Sequence, residues 1–64
     1  MQPRQRASLA RRLSHAQGMI EHWQAKIAAA PANTSAQQLG VWRAQQTRWQ
    51  KQEAALIRRL EEER

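Results

Sequence analysis

His15 and His22 are the chain's two histidines, and they stand seven residues apart. On a helix that spacing is two turns, or ~10 Å along the axis. One helix holds a metal ion with ligands about one turn apart, so this pair cannot share one. Cysteine, tyrosine and aspartate are absent, and the carboxylates are Glu21, Glu53, Glu61, Glu62 and Glu63. Ser14 precedes His15, but neighbours on a helix point in different directions, so the two make no nucleophile–base dyad. Gly18 and Gly40 stand alone and form no phosphate-binding loop. No catalytic residue, cofactor or metal is expected, and the chain is read as a non-enzyme.

The cations and tryptophans offer a different chemistry. The chain has 64 residues and a formal net charge of +6. That balance suits nucleic acid, an acidic protein or an anionic membrane surface. On a helical wheel Arg4, Arg11, His15, His22 and Lys26 fall within ~60° of one another. Arg43, Arg48, Lys51 and Arg58 supply a second basic set further along. A cationic line of this kind can follow a phosphate backbone. It can equally be a solvated helix face. The nucleic-acid reading therefore rests on Arg11, His15, His22, Lys26, Arg43, Arg48, Lys51 and Arg58. Trp23, Trp42 and Trp49 would join it only if exposed enough to stack on bases.

The elements that must position these groups are helices. Ala, Gln, Arg, Leu and Glu dominate, and all are good helix formers. The one clear interruption is "APANTSAQQ", residues 30–38. Pro31 pushes the residue before it out of the α region. Ser35 and Gln38 have capping-box spacing, in which the hydroxyl accepts from the Gln38 amide and the Gln38 side chain reaches back. These signals predict helix 1 over about 4–29, a turn at 30–35 and helix 2 over about 36–62. So short a connection makes the helices antiparallel neighbours.

Leu9, Leu13, Ala16, Ile20, Trp23, Ile27 and Ala30 repeat with 4-3 spacing, an unbroken heptad seam. The second seam is Leu39, Trp42, Gln46, Trp49, Glu53, Leu56 and Leu60, broken by two polar residues. Folding at the turn sets Trp23 against Trp42, Ala16 against Trp49, Leu9 against Leu56 and Ile27 against Leu39. A small alanine opposite a large tryptophan lets facing layers interdigitate. Gly18, inside helix 1, either admits a close neighbour or is simply tolerated.

A core of this size leaves one side of each tryptophan wet, and a chain this short is marginal alone. The expected architecture is all-α: one antiparallel two-helix hairpin domain over 1–64, dimerising into a four-helix bundle. Gln46 and Glu53 would then be polar layers that set register, or would lie at the seam edge and reach water. The arginines of "PRQR" and the glutamates of "RLEEER" oppose the helix dipoles at their own ends. Antiparallel packing brings those ends together, so Arg4 and Arg6 are expected to meet Glu61, Glu62 and Glu63. No secretory signal is read in "MQPRQRASLARRL", and no apolar run approaches the ~20 residues a bilayer requires. A cytoplasmic protein without membrane contact is expected.

The predicted shape resembles small helical-hairpin dimers, among them the Rop family of plasmid RNA-binding regulators, with which it shares no motif. The stretch "QKQEAALIRRLEEER" is faintly similar to the basic helical segment of the PriC primosomal family. The functional expectation is a non-enzymatic interaction module: a homodimeric regulator, inhibitor or adaptor that binds a protein partner. Its seam and contact residues are Leu13, Ile20, Trp23, Ile27, Leu39, Val41, Trp42, Gln46, Trp49, Glu53, Leu56 and Leu60. Leu39, Val41, Trp42 and Trp23 form its expected apolar patch near the turn. The alternative is a basic RNA- or DNA-binding hairpin dimer.

Overall fold

A computed structural model of the protein describes residues 3–62. It is an all-α two-helix hairpin. Helix α1 runs Pro3–Ala28 and helix α2 runs Ala36–Glu62. The hairpin is a rod of 50 × 14 × 11 Å, two helices wide and one helix thick.

Local chemistry explains the boundaries. Pro3 opens α1 at a position where its missing N–H has no intrahelical partner to lose. At the other end, the Ala29 amide still bonds the Ala25 carbonyl at 3.0 Å, while the Ala30 amide reaches only to Ile27, at 3.2 Å. That shift to a tighter turn satisfies one more of the terminal carbonyls, and Pro31 then ends the ladder. The Thr34 amide donates to the Pro31 carbonyl at 3.0 Å and reverses the chain. Ser35 caps α2: its Oγ accepts from the Gln38 amide at 3.0 Å, and its carbonyl accepts from the Leu39 amide at 3.0 Å.

The buried residues are Leu9, Ala16, Ile20 and Leu56. Leu9, Ala16 and Leu56 pack as one cluster, with Leu13, Trp49 and Leu60 half-buried against it. Ala16, only 1% exposed, is the most enclosed of them. A larger side chain there would collide with the layer that holds Trp49. Every position of both predicted seams is buried or half-buried, Gln46 and Glu53 included. Outside the seams, only Met19, Thr34 and Gln45 are also shielded in part among the described residues.

Of the two readings of Gly18, the hairpin fits the tolerated glycine: a Cβ built there, or at Gly40, meets nothing within 4 Å. One expectation changes: among the described residues, the arginines at the start of α1 do not pair with the glutamates at the end of α2. The ion pair among the described residues is Arg58 with Glu62, at 4.0 Å along α2, both well exposed. Glu62 finds an arginine one turn back on its own helix, which needs no alignment of two helix ends. Arg6 and Glu61 border the same shallow hollow but form no ion pair within 4.0 Å. Glu63 lies outside the described residues.

Candidate functional site

One face of the hairpin gathers all three tryptophans with a set of cations. His15 of α1 meets Trp49 of α2 edge-on, with ring centroids 5.4 Å apart and planes at 80°. Around them Arg11, Arg12, Gln52 and Leu56 complete an open hollow of about 350 Å³. Its lining sets the half-buried Trp49 indole beside the exposed Arg11 and Arg12. The next hollow toward the helix ends, about 220 Å³, is lined by Gln5, Ser8, Leu9, Arg12 and Arg59. Arg12 borders both. Among the described residues, no carboxylate lines either hollow.

Toward the turn the same chemistry recurs. The Lys26 ammonium stands 5.5 Å from the Trp23 ring centroid and 5.0 Å from that of Trp42. His22 meets Trp23 edge-on at 5.1 Å. The Trp23 Nε1 is buried and has no acceptor. An unpaired buried donor of this kind costs ~1–3 kcal/mol, so the indole ring is held here by packing and cations rather than by its N–H.

The helical repeat explains why the cations cluster on one face. At ~100° per residue, Arg12, His15, Trp23 and Lys26 lie on one flank of the α1 seam, and Arg6 and Leu13 lie on the other. On α2, Gln52 and Arg59 share the first flank, while Arg43, Ile57 and Glu61 share the second. The second face therefore differs in character. Arg6, Leu13, Ile57, Leu60 and Glu61 line a small hollow there, about 150 Å³, which mixes both signs of charge with branched apolar side chains.

The sequence-derived basic set does not form one surface. Arg11 and His15 belong to the Trp49 hollow, and His22 and Lys26 to the Trp23–Trp42 end. Arg48 and Lys51 line a concavity on the outer side of α2 with Ala44, Thr47, Gln52 and Ala55. Arg58 borders Lys51, Ala54 and Ala55 and pairs with Glu62. Arg43 projects from the opposite flank. Two arginines that the basic set omitted, Arg12 and Arg59, line the hollow toward the helix ends. Their angular distance from each seam was a signal in the sequence, since both flank the apolar stripe on the side of Trp23.

The apolar patch near the turn also divides. Leu39 is half-buried in the seam, whereas Val41 is 51% exposed. Residues two apart on a helix do not share a face. Trp42 and Trp23 lie beneath Lys26 instead.

Among the described residues, no group of three or more His, Cys, Asp or Glu side chains could hold a metal ion. No helix of the described residues is long and apolar enough to cross a membrane. In comparisons with known proteins, no family model, curated protein or solved structure is significantly similar to this chain.

Proposed function

We propose that this chain is a small non-enzymatic interaction module whose first partner is a second copy of itself. The observation that carries this reading is the thinness of the core. Among the described residues only four side chains are buried, and the remaining seam residues are half-buried. The accessible surface is 5011 Å², whereas a compact monomer of 7.4 kDa exposes about 4,200 Å². The excess belongs to a rod one helix thick, whose two seam flanks are the surface a second copy would cover.

Charge favours one face for the pairing. The tryptophan face would set arginines and lysines against their own copies, and among the described residues no acid lines either hollow to relieve them. The other face carries Ile57, 37% exposed, beside Leu13 and Leu60, with Arg6 and Glu61 at its edge. A two-fold pairing there buries apolar surface and can match opposite charges across the axis. Gln46 and Glu53 then become the polar layers of a four-helix bundle. Val41, exposed near the turn, remains as a contact for a protein that the pair regulates, inhibits or bridges.

Light scattering during size-exclusion chromatography tests the pairing. The expected mass is twice that of the chain, and Ile57→Glu returns it to one chain with the helical circular dichroism retained. A single-chain mass for the unaltered protein at high concentration overturns the reading.

A further inference from the structure

We infer that the tryptophan face binds single-stranded nucleic acid, with a base on the half-buried Trp49 indole and the adjoining phosphate between Arg12 and Arg59. Three observations on different residues meet here. The first is the pairing of hollows, one apolar and aromatic, the next lined by Gln5, Ser8, Arg12 and Arg59. The second hollow is rich in donors, with two guanidinium groups, a hydroxyl and an amide. Guanidinium groups match the geometry of phosphate oxygens. The second observation is the lining itself: among the described residues, no carboxylate borders either hollow. The third is adjacency: Arg12 borders both hollows, and Ser8 and His15 lie one turn to either side of it, ~5.4 Å along the axis. A ligand that fits must alternate a planar apolar group with an anion over a short repeat, which is the pattern of a nucleic-acid strand.

A single strand fits better than a duplex. In a duplex the base faces are stacked on one another, and the Trp49 indole would have nothing to receive. Indole platforms flanked by arginines accept any base, because every base has a π-face. Toward the turn, Lys26 over Trp23 and Trp42 places a further cation and two rings on the same face. An acidic protein segment would satisfy the arginines but would leave the Trp49 indole without a planar partner.

The probe is a fluorescently labelled oligothymidylate, followed by anisotropy, with tryptophan emission recorded on the unlabelled strand. Binding with quenched emission is expected. The double variant Arg12→Gln/Arg59→Gln changes exposed side chains only, and circular dichroism checks its fold. It should weaken binding roughly 25-fold at 0.1 M salt and flatten the log–log salt slope by about 1.4, the effect of two lost phosphate contacts on a single strand. Arg43→Gln, on the opposite flank, should leave affinity within about twofold. Trp49→Phe should reduce the quench. Absence of binding at low salt overturns the proposal. So does equal weakening by Arg43→Gln, which would mark diffuse charge attraction. Displacement by polyglutamate at equal charge with no tryptophan quench also overturns it and assigns the face to an acidic protein segment. Self-association is read separately by light scattering, and a monomer that binds the strand as described still supports this site.

Discussion

The Lys26 ammonium lies 5.0 Å from the ring centroid of Trp42 on the opposite helix, and 5.5 Å from that of Trp23 on its own. One exposed lysine therefore fastens the two helices near the turn. Its methylene stem covers indole surface while its charge stays in water. Lys26→Ala should destabilise the hairpin by ~0.5–1 kcal/mol, the usual strength of an exposed cation–π contact. Lys26→Arg should retain most of it. Lys26→Met keeps an apolar stem without the charge; urea denaturation read by circular dichroism makes the comparison, and a Met variant as stable as the lysine protein would show that stem packing, not charge, is responsible.

Ala16 offers a sharper test of the packing. It is enclosed in the layer that holds Trp49. Ala16→Leu should cost ~1–3 kcal/mol through overpacking, although leucine is hydrophobic and a good helix former. The same substitution at Ala25, exposed on α1, should be nearly neutral. A stabilised Ala16→Leu protein would mean that the small–large layer is looser than described.

Gly18 and Gly40 stand inside helices with open space where a Cβ would go. Each Gly→Ala change should add roughly 0.5–1 kcal/mol, since alanine orders at a lower entropic cost. The two sit on different helices and share no neighbour, so their effects should add. Thermal melts of the single and double variants check this. A loss at either site would show that the glycine meets a partner that the hairpin alone does not contain.

Much of this molecule was legible in its sequence, for one physical reason. A 4-3 apolar repeat on a helix defines a stripe, and a single proline-containing turn leaves the stripe only one place to go. Leu9, Leu13, Ala16 and Ile20 could thus be placed on the core side without coordinates, as could Trp49 and Leu56. Ser35 was equally readable, because a cap is a contact three residues long. The failures share a cause too. Arg12 and Arg59 meet across two helices, and their proximity depends on which flank of each seam faces the same side. Arg6 and Glu61 were expected to pair because their helix ends adjoin, but adjoining ends do not fix side-chain distance. Arg58 and Glu62 won because one turn of one helix does. Val41 and Leu39 were grouped by nearness in sequence, and the helical repeat separates them.

The placement of the best-buried layer also bears on how the hairpin forms. Leu9 and Leu56, both in the enclosed cluster, are far from the turn and far apart along the chain. Trp23 and Trp42 lie close to the turn. Closing the long loop between Leu9 and Leu56 requires more lost chain entropy than closing the short one. Folding should therefore start at the turn and zip outward, with the enclosed cluster formed last. Ser35→Ala should chiefly slow refolding, whereas Leu56→Ala should chiefly speed unfolding, and stopped-flow tryptophan fluorescence separates the two. The residues that set how long the hairpin stays shut thus differ from those that set how fast it closes, and its lifetime is governed at its open end.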